Sequence, residues 1–354
     1  VPLLTGLTST NTQVPLEVTA GGRIIAQGLQ GPTGPAGPAG PAGLSGGLSS
    51  AALFWSRQAW SSRFATVETW NSVIWHPAAF LYVAVASTGT NRVITSPDGI
   101  TWTARAHAVS STSIYRAQAY SPSLGRLVAV GDAGSVMYSD NATAWTAGTT
   151  ISAENYLSVA WSPTLSLFAA PASTGSGSMM TSPDGITWTS RTLPTLINPQ
   201  FRCICWSDTL GIFLALTYTD GQGVTSSDGI TWTAVTLSSA AGWTSVVWAE
   251  DLGLFVAVAD SGATARCVTS PDGTTWTDRT VPASAWASLV WAREAGLLTA
   301  VGPNGSDIVS KDGINWQTLS TPANTGGWRA VAWSYWRFQH VAVTSVNLVV
   351  RTQL

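Results

Sequence analysis

Few residues in this chain are of the kinds that do chemistry. The 354 residues include three cysteines and three histidines. Cys203 and Cys205 flank a single residue, which puts them on one face of a strand, and Cys267 lies far along the chain. His76, His107 and His340 are scattered, and no spacing suits a zinc site. The thiols read as small buried hydrophobes, with no metal or cofactor expected. No disulfide framework is needed, so folding in a reducing cytoplasm is expected. Cleavage of an acidic glycan would need several arginines around its carboxylate and a tyrosine paired with a carboxylate as nucleophile. Fifteen arginines and five glutamates (Glu17, Glu68, Glu154, Glu250 and Glu294) are available. Arg92, Arg191 and Arg279 fall in different repeats, which leaves a clamp open, but no motif sets a tyrosine beside a glutamate. The chain therefore reads as a binding protein rather than an enzyme. Its densest polar-aromatic group is Tyr218, Asp220 and Gln222, followed by Asn304 and Asp307. These side chains suit hydrogen bonding to sugar hydroxyls.

The elements that must position them follow from composition. Charged residues are 10% of the chain, the net charge is −2, and Lys311 is the one lysine. With no basic run, nucleic acid and membrane surfaces are not expected partners. Hydrophobic residues reach 45%, yet no apolar stretch approaches the ~18 residues a spanning helix needs. Nineteen tryptophans, 34 glycines and few Lys or Glu favour strands over helices. The start, Val1-Pro-Leu-Leu, lacks a basic segment and apolar core, so no signal peptide is expected.

Three segments follow. Residues 1–27 suggest two small strands around Gly21-Gly22, Val14–Val18 and Arg23–Ile25, and read as a small N-terminal anchor. In residues 28–45 glycine recurs at 28, 31, 34, 37, 40 and 43, and proline follows it four times running. Polyproline-II chains wind three together only if every third residue lacks a side chain at the shared axis. The period resembles collagen and implies a homotrimer. Residues 46–53 read as a flexible neck, and residues 54–354 as a repeat array.

The array carries six boxes of the form Ser-x-Asp-Gly-x-x-Trp. Their key residues are Asp98 and Trp102, Asn141 and Trp145, Asp184 and Trp188, Asp228 and Trp232, Asp272 and Trp276, and Asp312 and Trp316. The tryptophans are 43, 43, 44, 44 and 40 residues apart, the pitch of a four-stranded propeller blade. Aromatic pairs five apart, from Trp70/Trp75 to Trp328/Trp333, mark seven blade starts. The expected fold is all-β: a seven-bladed propeller closed by an N-terminal strand. Phe54-Trp55-Ser56-Arg57, aligned with Trp188 and its neighbours, is taken as that strand, with Trp55 sealing the ring. Asn141 and Ala142 depart from the box pattern, so their turn is expected to differ.

The boxes resemble the Asp-boxes of sialidase-type propellers, which usually carry one more residue between Asp and Trp. The layout of anchor, collagen-like stalk and Trp-rich propeller resembles bacteriophage fibre and receptor-binding proteins. That resemblance implies a virion location, exposed on the particle, with other virion proteins as partners of residues 1–27 and a host-surface glycan or protein as a further partner. The alternatives are a capsid-decorating head fibre and a sialidase-like enzyme. If a stalk enters through a fourth strand, it lies on the box end. The opposite end, with the second-to-third strand loops, is then the face for a receptor. Trp70, Trp243, Trp286 and Trp328 start blades near that face and are candidates for stacking on a ligand.

Overall fold

The structure, a computed structural model, describes residues 4–7, 13–18, 24–26, 60–63, 68–89, 92–106, 113–149, 151–174, 178–197, 199–218, 220–262, 265–319, 327–345 and 348–352. The chain divides into two compact units, Val1–Leu53 and Phe54–Leu354. In the first, Leu4–Leu7, Gln13–Val18 and Ile24–Ala26 form an antiparallel three-stranded sheet in chain order. The first of these strands was not expected from the sequence. The glycine triplets, the neck and Trp55 lie outside the described residues.

The second unit is a multi-bladed β-propeller. Its second strands are short runs of small, β-branched and aromatic residues, such as Leu81–Ala86, where all but the first residue are buried. Such runs pack on both faces, which suits a sheet held between two others. In the first blade the antiparallel order is Trp70–His76, Leu81–Ala86, Val93–Ser96 and Thr103–Ala104, here strands A to D. Five more four-stranded sheets, each of consecutive strands, follow over residues 115–147, 160–191, 201–236, 241–279 and 288–319.

The expectation of a seven-bladed propeller closed by an N-terminal strand at Phe54–Arg57 needs correction. Six blades are continuous in the chain and alone form an open array. The remaining sheet is composite: Trp328–Ser334, Gln339–Thr344 and Leu348–Thr352 are followed by Trp60–Arg63. Arg63 lies opposite Leu348 and Trp60 opposite Arg351. The sequence reason is plain in hindsight. Trp60-Ser-Ser-Arg63 matches Trp188-Thr-Ser-Arg191 without a gap, and Trp102-x-x-Arg105 and Trp276-x-x-Arg279 share the pattern. Arg191 lies opposite Met179 as Arg63 does opposite Leu348. Across the seam, Val341 and Val343 pack with Tyr82, Ala84 and Ile94 of the first blade. The Tyr82 hydroxyl donates to the Gln339 carbonyl at 3.2 Å.

The boxes close their C–D turns by one pattern of bonds, except that Trp188 and Trp232 leave Nε1 without a partner among the described residues. Asp98 Oδ1 accepts from the Ile100 and Thr101 amides at 2.8 Å each, and from Ser96 Oγ at 3.0 Å. The Gly99 amide donates to Ser96 Oγ at 2.7 Å, and Trp102 Nε1 to the Gly99 carbonyl at 3.0 Å. The second box keeps this turn, against expectation. Asn141 Oδ1 accepts from the Thr143 and Ala144 amides at 2.9 and 2.8 Å, and Ala142 takes a φ of 65°. Trp145, Trp188, Trp232 and Trp276 are buried, and Trp102 and Trp316 half-buried. The box tryptophans are thus structural.

Candidate functional site

A strand that begins a blade must pass from the inter-blade core to the central opening. The aromatic that opens each blade, at or just before its A strand, stays in the core: Trp70, Tyr115, Tyr156, Phe201, Trp243, Trp286 and Trp328 are each at most 1% exposed. Trp70, Trp243, Trp286 and Trp328 therefore offer no stacking surface. The residue that follows each aromatic lines a central funnel of about 810 Å³. In five blades this residue is a β-bulge. Trp70 pairs with Ala86 and Ser72 with Val85, which leaves Asn71 as the extra residue. The same register shift sets out Arg116, Arg202, Thr244 and Arg329. A bulge bends the strand and re-aims one side chain. Here it turns a repeat that buries aromatics into a ring of polar groups. Leu157 and Ala287 occupy the equivalent positions of the other two blades.

The B–C loops complete the wall with Asp132, Ser173, Thr174, Pro303 and Ser345, and the end of the fifth B strand, Leu254–Gly262, adds Asp260. Arg116 forks onto Asp132, Nε to Oδ1 at 2.9 Å and Nη2 to Oδ2 at 2.6 Å. The Arg202 guanidinium lies 4.3 Å from the Tyr218 ring centroid. The Tyr218 hydroxyl donates to Asp260, 3.1 Å from Oδ1 and 3.0 Å from Oδ2, and Ser261 Oγ donates to Oδ1 at 2.9 Å. Burial first, then the bond to Asp260, pushes the Tyr218 phenol up. Arg329 is pushed down by partial burial and by the charge of Arg116. Neither Arg202 nor Arg329 joins an ion pair among the described residues.

None of Tyr218, Asp220, Gln222, Asn304 and Asp307, the residues picked from the sequence, lines this funnel. Tyr218 stands behind Asp260. Gln222 accepts from the Ile197 amide through Oε1 at 3.0 Å, and its carbonyl takes the Thr217 hydroxyl at 2.8 Å. Asp220 is half-buried, with Oδ2 enclosed, and Asn304 is exposed beside Pro303. Asp307 is fully buried and starts a C strand, opposite Val301 and Leu319. The arginine clamp considered for Arg92, Arg191 and Arg279 does not assemble. Arg191 and Arg279 sit on outer D strands, with Nε donating to Thr181 and Thr269 at 2.9 and 2.8 Å. Arg92 is buried and donates to the Ser87 and Ser113 carbonyls. The structure instead converges Arg116, Arg202 and Arg329. It also makes the tyrosine–carboxylate contact that no motif announced, between Tyr218 and Asp260.

Among the described residues, no three His, Cys, Asp or Glu side chains come together as a metal site. Cys203, Cys205 and Cys267 are free thiols. Burial raises all three, Cys203 and Cys267 to about 12, which disfavours their thiolates.

No protein family's profile matches the sequence, and no curated protein is similar to it. Solved propellers match its fold. The structure titled YCF48 bound to D1 peptide is 14% identical with a TM-score of 0.61, over 83% of this chain and 96% of that one. Virginiamycin B lyase from Staphylococcus aureus is 7% identical with a TM-score of 0.70, over 84% and 99%. The WD40 propeller domain of Doa1 is 11% identical with a TM-score of 0.66, over 84% and 97%. At these identities the likeness shows the fold alone.

Proposed function

We propose that this chain is a trimeric bacteriophage fibre protein that attaches to a host-surface glycan through the funnel face, without cleaving it. The observation that carries the reading is the funnel: polar side chains from six of the seven sheets, five of them set out by strand bulges, meet at one concave mouth. Sites for small polar ligands are concave and few per protein. The orientation supports it too. Trp60 pairs at the box end of its sheet, so the chain enters the propeller there, and the funnel opens at the other end. The unbroken glycine triplets of residues 28–45 supply the trimer, and residues 1–27 are the segment assigned to other virion proteins. One propeller of this fold is titled as holding a peptide, so such a scaffold can serve binding. The decorating head fibre differs from this reading only in lacking a specific receptor.

The test is adhesion. The full-length protein is expected to be a trimer by mass in solution and to bind intact bacterial cells or their purified surface polysaccharides. Monomeric mass contradicts the stalk reading, and no binding across a broad panel favours the decorating fibre.

A second reading, cleavage of an acidic glycan, draws on the Tyr218–Asp260 contact. The raised Tyr218 phenol is the wrong direction for a nucleophile, so binding is preferred. Turnover of a sialylated glycan, abolished by Tyr218→Phe, would reverse that preference.

A further inference from the structure

The chemical class of the ligand can be argued from how the funnel's charges are partnered; the argument rests on the funnel being the binding site. Three arginines and two aspartates line it. Both carboxylates are engaged: Asp132 by the Arg116 fork, Asp260 by Tyr218 and Ser261. Arg202 and Arg329 hold their charges without an ion pair among the described residues. Partial burial and, after it, the like charge of Arg116 disfavour the ionisation of Arg329. Like charges turned into one concave space by strand bulges repel unless an anion lies between them.

We infer that the funnel takes an anionic group of a surface polymer, a carboxylate or a phosphate ester, with Arg329 and Arg202 as the charges that face it. A guanidinium presents paired N–H donors that match both oxyanions. Arg116 is neutralised by Asp132 and shapes the wall. Asn71 and Thr244 also line the wall, with Asn71 Nδ2 and Thr244 Oγ1 donating to the Tyr115 and Trp286 carbonyls, so their side-chain oxygens are left to accept from neighbouring ligand hydroxyls. The ligand is thus an acidic saccharide rather than a neutral one.

The experiment titrates the full-length chain with an oligoglucuronate, with the same oligosaccharide after reduction of its carboxyls to alcohols, and with inorganic phosphate. The acidic form is expected to bind at least about tenfold more tightly than the reduced form. Raising salt from about 50 to about 500 mM should remove most of that difference. Arg329→Gln, on an exposed side chain, should cost about tenfold in affinity with the melting temperature unchanged. Ala287→Glu, which adds a carboxylate to the funnel wall, should weaken binding similarly. Phosphate that competes with the oligoglucuronate and is lost with Arg329→Gln also supports the inference and assigns the phosphate-ester source. Equal affinity for acidic and reduced forms overturns the inference, and so does unchanged binding by both variants. Failure of every probe in a protein that still adheres to cells overturns it while the attachment reading stands. Acid binding without cell adhesion sinks attachment alone.

Discussion

At the scale of single residues, the box aspartates are acceptors first and charges second. Asp184 Oδ1 takes the Ile186 and Thr187 amides at 2.8 Å each, and Asn141 does the same work in the second box. Asp184→Asn is therefore expected to cost under about 1 kcal/mol, and Asp184→Ala, which strands two amides, about 1–3 kcal/mol. Urea unfolding of both variants checks this. The charge enters through pH. The Thr231 and Ile230 amides hold Asp228 at about 2. In Asp312, burial pulls upward but is outweighed by the Asn315 backbone and side chain, and it too sits at about 2. Asp98, Asp184 and Asp272 are likewise lowered, burial being outweighed by amide donors. An unfolded aspartate titrates near 3.9. The stabilisation is then fully present above about pH 4 and lost as pH falls through the folded values. Tryptophan fluorescence should report acid unfolding in that window. Asn at all five positions should shift the transition to lower pH; an unmoved transition contradicts this.

At the scale of elements, the turns and the seam are informative. The last residue of the A–B turn is left-handed in each continuous blade that keeps glycine there, as at Gly125, and Ser166 takes the same conformation at φ 50°. Nothing lies within 4 Å of a Cβ built on Gly125, so the cost there is backbone strain alone. Ser166→Gly is expected to stabilise by about 0.5–1 kcal/mol, read as a rise in the melting temperature. The seam makes a sharper test. A chain beginning at Phe54 keeps Trp60–Arg63 and should fold, whereas one beginning at residue 64 leaves Leu348–Thr352 as a bare edge and should aggregate. Equal behaviour of the two contradicts the composite sheet. The blade pitch was legible in the box spacing because each box is one turn per sheet. The seam residue was misplaced by following Trp55 instead of the ungapped Trp60-x-x-Arg63. Arg202 and Arg329 were not legible as site residues, because period-two alternation hides a bulge. What a sequence does show is that a polar residue follows the first aromatic in most of the repeats.

At the scale of the molecule, the two ends of the propeller are unequal. One end carries the boxes and the point where the chain enters; the other holds the funnel. Loop composition alone could not find the funnel, since Gly, Ser, Thr and Asn suit any turn, and Asp307 proved to be buried. The most direct measurement is binding of the full-length chain to bacterial cells with one end altered at a time. Ala287→Trp plugs the funnel wall, and Trp336→Ser alters a side chain 64% exposed in the A–B turn at the box end. The plug is expected to abolish attachment and the box-end change to leave it intact, with both variants melting like the parent. Attachment that survives the plug and is lost with Trp336→Ser would contradict this.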